Sequence, residues 1–331
     1  MDSRQSIQAV KLQICFSPTN FIDLKTGRWK SARDEIAFAA SLGADYINLW
    51  VWASSLFYSP QRFDKLNPTA EAFYRDCIVE CRRRNLGIIG KLGAWNLPYW
   101  AGRQGIPEIG SPVYKVQLDA HNQIARTLNR EFELDGWMVG NEPQVESTLY
   151  GWHPTDPGAK RHPPEDTIQI AIDRTRAVAP EFDGLRIGYA MEGIGSLKVP
   201  YLSPYRATEM YWEATSDLLD FAGINAYPPV RYTAPTDWNY ARHYDDLCES
   251  APLWPSEQGI ARRWINSQQR RSWVEGLIAN TPRWSNIFSY FMLTDTFDDN
   301  WGLIKRDGSV DEVADLLKER FYTREKFHAV K

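Results

Sequence analysis

The stretch KLQICFSPTNFID (11–23) decides the fold. Its first part, KLQICFSP (11–18), is an apolar run that reads as a strand covered on both faces. Its second part lacks the closely spaced glycines that an open, doubly wound α/β sheet places after its first strand to cradle a phosphate. Seven further runs share this character: ADYINLWVW (44–52), LGIIGKLGAW (86–95), LDGWMVGNEP (134–143), LRIGYAMEG (185–193), DFAGINAYPP (220–229), APLWPSEQGI (251–260) and NIFSYFMLTD (286–295). Helical patterns lie between them at 29–42, 68–85, 113–131, 164–179, 205–218, 237–248 and 267–280, with a last one at 309–321. The second of these opens with Pro68 and closes before Gly87, the expected start and stop signals. Eight strand–helix units predict an α/β protein of the (β/α)8 TIM-barrel type, with 1–331 as a single domain. The excess length follows strand ends, at 96–112, 144–163, 194–204 and 296–308, where such a barrel builds its working face.

Composition narrows the function classes. The 331 residues carry 38 basic and 42 acidic side chains, which implies neither a nucleic-acid surface nor a polybasic membrane anchor. No window of 18 successive apolar residues is present, so no transmembrane helix is expected. The N-terminal residues have no apolar signal core, and cytoplasmic residence is the simplest expectation. Cys15, Cys77, Cys81 and Cys248 fit no zinc-ligand spacing and read as free thiols. Aromatic content is high: 14 Trp, 16 Tyr and 14 Phe exceed what a core needs, and exposed rings suit stacking on sugars.

Catalytic groups of a barrel project from the C-terminal ends of its strands. Acidic residues at such ends are Glu142 on the fourth strand, Glu192 on the fifth, Glu257 on the seventh and Asp295 on the eighth. Strands four and seven stand on opposite sides of an eight-stranded ring, so Glu142 and Glu257 are expected to face each other. Two facing carboxylates are what glycoside hydrolysis requires: one donates a proton to the leaving oxygen, the other attacks the anomeric carbon or activates water.

These residues resemble the glycoside hydrolase clan A barrels. WMVGNEP (137–143) is similar to the clan's strand-four signature, PSEQG (255–259) to its strand-seven Glu-x-Gly, and NAY (225–227) to the strand-six segment ending in Tyr. YFMLTDTFDDNWGLIKRDGS (290–309) resembles the eighth strand and following loop, most closely those of family 39. The resemblance implies Glu142 as general acid/base, Glu257 as nucleophile, Asn141 as ligand of the sugar 2-hydroxyl, and Tyr227 as the group orienting the nucleophile. It also implies retention of anomeric configuration, a β-D-glycoside or stereochemically equivalent α-L-arabinoside, and no cofactor, while the long loops at the mouth and the abundant Trp suggest an oligo- or polysaccharide. Candidate substrate contacts are Trp50, Trp52, Trp95, Asn96, Glu192, Asn225, Tyr290, Phe291 and Trp301.

The chain departs from the clan in lacking an Arg at the end of strand two (LWVWASS) and a His on strands three (KLGAWN) or six. Tyr290 or Phe291 must serve where the clan often has a Trp on the eighth strand. His153, Asp156 and His162 fit no standard metal motif, so no metal is expected and His162 reads as a surface histidine. Asp295 is expected to anchor the last loop. The competing reading is a sugar-binding barrel without catalysis. A metal-dependent barrel hydrolase would need a His-x-His after strand one, which is absent.

Overall fold

The computed structural model describes residues 10–23, 28–93, 95, 97–101, 105–143, 162–163, 166–189, 191–192, 204–226, 239–263, 265–295 and 300–322. Each apolar run carries one barrel strand: β1 (Lys11–Phe16), β2 (Tyr46–Val51), β3 (Gly87–Leu92), β4 (Gly136–Met138), β5 (Leu185–Ile187), β6 (Ala222–Ala226), β7 (Leu253–Gln258) and β8 (Ile287–Tyr290). Neighbours pair in parallel in the order β5–β4–β3–β2–β1–β8–β7–β6. The ring closes where Ile187 forms a parallel bridge to Phe221 and the Gly188 N–H donates to the Phe221 carbonyl at 2.9 Å. A short segment, Met191–Glu192, adds further pairing to β6.

A helix follows each strand: α1 (Arg33–Ser41), α2 (Pro68–Arg83), α3 (Pro112–Glu131), α4 (Asp166–Val178), α5 (Pro204–Thr215), α6 (Asn239–Ser250), α7 (Ser267–Asn280) and α8 (Glu312–Phe321). Local chemistry fixes their starts. Asn67 accepts from the Thr69 and Ala70 N–H groups ahead of α2, with Pro68 at the first helical position. Ser111 caps α3, Asn266 and Gln269 form a capping box on α7, and Asp311 caps α8. The closed (β/α)8 barrel expected from the sequence is the fold observed.

Inside the ring the side chains form levels. Ile89, Met138, Ile187, Trp254 and Ile287 make one buried apolar cluster, with Tyr46, Leu185 and Phe221 packed against it. Its members come from most of the strands, which places it in the barrel interior as a floor. Above it lie Gln13, Asn48, Ser256 and Ser289, all fully buried and joined by hydrogen bonds from Gln13 Nε2 to Ser289 Oγ (2.8 Å) and from Trp254 Nε1 to Gln13 Oε1 (3.1 Å). The interior therefore turns from apolar to polar toward the C-terminal ends of the strands.

Candidate active site

Strand β7 aims Glu257 by an irregularity. Its pairing with β6 shifts register between Pro255 and Glu257. Such a bulge breaks the alternation of faces and lets two successive side chains turn inward. Lys91 Nζ touches both: it donates to Ser256 Oγ at 2.7 Å and forms an ion pair with Glu257 Oε1. The Ser256 carbonyl at the bulge is well satisfied, accepting from Ser289 Oγ (2.6 Å), Cys15 Sγ (3.0 Å) and Asn48 Nδ2 (3.4 Å). Glu257 is buried, as expected for a group at the base of a cleft rather than on a surface.

Strand β4 delivers the second carboxylate by a tight, strained turn. Gly140 is required because a Cβ there would lie 2.2 Å from the Tyr189 ring. Behind the turn, buried Arg174 donates to the Val139 carbonyl (2.8 Å) and to Tyr189 Oη (2.7 Å). His121 lies against Arg174 Nε at 3.3 Å; burial first, and the Arg174 charge second, hold its pKa well below the ordinary imidazole value, so it stays neutral. Two residues beyond Gly140, Glu142 adopts a φ of 42°, a left-handed conformation that costs a non-glycine residue ~1–3 kcal/mol. Strain of this kind persists only where surrounding contacts enforce it.

Asn225 on β6 joins the two. Its Nδ2 contacts Glu142 Oε1 at 2.7 Å, Asn141 Oδ1 at 3.2 Å and Glu257 Oε2 at 3.3 Å. The two carboxyl oxygens are therefore no farther apart than two hydrogen bonds laid end to end. Asn141, Glu142, Asn225 and Glu257 form one cluster at the C-terminal end of the barrel. Burial pushes the thiol of neighbouring Cys15 up to about 12, against an opposing pull from Lys91, so the thiol stays neutral.

Aromatic rings approach the cluster from β2. The Trp50 ring lies 4.4 Å from Lys91 Nζ, and Trp52 stacks on Trp50 with centroids 5.7 Å apart and an interplanar angle of 19°. Both rings are only partly buried. Phe291 packs edge-on against Trp301, within a small cluster that includes Cys15, Ala261 and Met292.

Two expected substrate contacts point elsewhere. Trp95 is buried with its Nε1 on Gln117 and its ring stacked on Tyr114, both residues of α3. Tyr290 is fully buried, bonded to Arg270 of α7 and to the Trp301 carbonyl at 3.2 Å, and burial pushes its hydroxyl up to about 12. Both face the helix layer, and strand alternation explains the second: Ser289 takes the interior side of β8, so Tyr290 takes the other. His162 is likewise corrected from surface to interior, held between Asp166 Oδ2 (2.8 Å) and the Ile106 carbonyl (2.9 Å). Asp295 forms an ion pair with Arg262 and accepts from the Gly302 N–H at 2.6 Å, which ties down the segment after β8. The Glu192 backbone pairs with Asn225. Asn96, Tyr227, His153 and Asp156 lie outside the described residues, as does the Glu192 side chain. Among the described residues, no group of three or more His, Cys, Asp or Glu could hold a metal ion, and no helix is long and apolar enough to cross a membrane.

The sequence reading missed Lys91. The signal was present: a lone lysine at 91 in the otherwise apolar LGIIGKLGAW, two residues beyond the inward-facing Ile89. It also missed that Asn225 reaches both carboxylates.

No protein-family model matches the chain, and no curated protein matches it in sequence. Among solved structures it is similar to a GH5_18 protein from Streptomyces cattleya in complex with GlcNAc, with a TM-score of 0.66 and 15% identity over 96% of this chain and 81% of the other. It is also similar to a GH5_18 protein from Bifidobacterium longum in complex with Manβ1-4GlcNAc (TM-score 0.66, 13% identity, 96% of this chain and 78% of the other). A β-glucosidase from Thermotoga maritima in complex with glucoimidazole gives a TM-score of 0.64 at 14% identity, over 94% of this chain and 97% of the other. At these identities the likeness establishes the (β/α)8 barrel fold alone.

Proposed function

We propose that the protein is a retaining glycoside hydrolase that cleaves a β-D-glycosidic bond, or the stereochemically equivalent α-L-arabinosidic bond, in an oligo- or polysaccharide. The observation that carries this reading is the single Asn225 nitrogen in reach of both Glu142 Oε1 and Glu257 Oε2. A retaining pair stands ~5–5.5 Å apart, whereas an inverting pair needs ~6.5–9.5 Å to admit a water. The sugars bound by the structural neighbours support a carbohydrate substrate.

In the first step Glu142 gives its proton to the glycosidic oxygen while a Glu257 oxygen bonds to the anomeric carbon. The leaving sugar departs as an alcohol, and Glu257 becomes a glycosyl ester. In the second step Glu142, now a carboxylate, takes a proton from water, whose oxygen displaces Glu257. Asn141 is proposed to meet the 2-hydroxyl, and Trp50 and Trp52 to border the sugar. Tyr227 is proposed to orient Glu257, and Phe291, Trp301, Glu192 and Asn96 to contact substrate. The whole chain, 1–331, acts in this reading as one catalytic domain without a cofactor.

A sugar-binding barrel without catalysis draws on one observation: the Lys91 ammonium already engages an oxygen of the proposed nucleophile. One experiment separates the two readings. A panel of aryl glycosides should reveal turnover by the wild type, lost more than ~10³-fold in Glu257→Ala. Glu142→Ala should regain turnover of a good-leaving-group substrate with azide and release a glycosyl azide of retained configuration. Sugar binding without turnover would favour the non-catalytic barrel.

A further inference from the structure

We propose that Lys91 is a positioning residue that keeps Glu257 ionised and fixes which of its oxygens reacts. The inference rests on the glycosidase reading for its chemical consequence, but the charge arrangement can be tested without it. Lys91 is fully buried, and its ammonium is surrounded on three sides: Glu257 Oε1, Ser256 Oγ at 2.7 Å, and the Trp50 ring at 4.4 Å. An ammonium so placed is costly unless it compensates another buried charge. Lysine at this position is therefore explained by the carboxylate it meets.

Charged or titratable groups beside Glu257 include Lys91 on β3, Cys15 on β1, and Glu142 after β4, which reaches it through Asn225. Cys15 is a neutral thiol, and Glu142 can add only negative charge. Of these, Lys91 is the one that brings positive charge to the carboxylate.

The geometry also divides the two oxygens of Glu257. Oε1 is committed to Lys91, whereas Oε2 lies on the side of Asn225 and Glu142. Oε2 is then the atom that bonds to the anomeric carbon, as the bond from that carbon to the leaving oxygen breaks and Glu142 protonates the latter. Oε1 becomes the ester carbonyl oxygen, still hydrogen-bonded by Lys91. When water displaces the ester, the returning negative charge is met by the same ammonium, which makes Glu257 a better leaving group.

The test compares wild type with Lys91→Met, Lys91→Gln and Lys91→Arg. The first readout is kcat/KM for an aryl glycoside as a function of pH. In the two neutral variants the acid-side pH of half-maximal activity should rise by ~1–3 units, so that activity lost at neutral pH returns in alkaline buffer. Lys91→Arg should leave that limb within half a unit of wild type, on the order of the scatter of such profiles. The second readout needs no turnover. Infrared spectra at neutral pH should gain the carbonyl band of a protonated carboxyl in Lys91→Met, and the added change Glu257→Gln should remove it. A purely structural lysine would lower activity equally at every pH and add no such band; either result overturns the proposal. If the wild type cleaves no glycoside but the band appears and depends on Glu257, the charge-holding role stands and the glycosidase reading fails.

Discussion

The floor of the barrel and its upper end are built from the same strands two residues apart. On β3 Ile89 belongs to the floor and Lys91 to the top; on β7 Trp254 belongs to the floor, and Ser256 and Glu257 lie above it. On β8 the step runs from Ile287 to Ser289. The floor gains stability by removing apolar surface from water, at roughly 25 cal/mol per Å². The top gathers an ammonium, two carboxyl groups and two amides, and replacing the buried Lys91–Glu257 pair by packed apolar side chains could match or exceed its stability. The lesson is that the interior passes from an apolar level to a charged and polar one within a single strand length.

The largest expected effect breaks the top alone. Glu257→Ala should cost more than ~10³-fold in kcat/KM and Glu142→Ala ~10²–10⁴-fold, measured on the best aryl glycoside of the panel. Far-ultraviolet circular dichroism should be unchanged in both. Activity persisting in both variants would remove the site from where we place it.

Converting the top into more floor sharpens the contrast. Lys91→Met alone leaves the buried Glu257 side chain without its counter-charge and should destabilise the protein by ~3–5 kcal/mol in denaturant titration. The double variant Lys91→Met with Glu257→Leu should recover that loss or exceed wild-type stability, while remaining inactive. A double variant no more stable than the single would show that the pair contributes net cohesion, and the contrast between the two levels would fail.

Weakening the floor should do the reverse. Met138 is fully buried in the floor cluster, and Met138→Ala should cost ~2–5 kcal/mol through lost contacts and a residual cavity. Its kcat/KM per folded molecule should stay within about twofold of wild type at 25 °C, since the site stands on other residues. A steep fall in activity at full folding would mean that the floor sets the height of the carboxylates.

These contrasts explain what could be read in advance. The eight strands and helices were legible because each carries its own local signal, such as the apolar run ADYINLWVW that becomes Tyr46–Val51, or the Pro68 start of α2. The carboxylates were legible because strand ends are where a barrel places chemistry. Side-chain direction was not. In a strand apolar on both faces, periodicity carries no sign, so Tyr290 and Trp95 could not be told from lumen residues. Lys91 was hidden for the opposite reason: a charged residue inside an apolar run reads as an interruption until its partner, 166 residues away, is brought against it. The bulge that turns Glu257 inward depends on register between β6 and β7, which neither strand encodes alone.

The smallest effect lies in the outer helix layer, where a buried carboxylate meets an exposed guanidinium. On α2, Glu80 accepts from Arg83 at 2.7 Å and Arg84 at 2.6 Å, and chiefly the Arg83 hydrogen bond, then that of Arg84, holds its carboxyl down from 4.5 to about 2. A carboxylate whose pKa is lower in the folded chain stabilises it above the unfolded value, and the contribution disappears as pH falls through the folded one. Glu80→Gln should therefore cost about 1 kcal/mol at pH 7, a figure reduced by solvent screening of the exposed Arg83. The wild-type and variant stabilities should converge between about pH 4.5 and about pH 2. Urea titrations across that range check the sign: a difference that persists at pH 2 would assign the loss to packing around Glu80 rather than to its charge. Activity should be untouched throughout, because this pair braces the end of a helix and not the cluster that Asn225 joins.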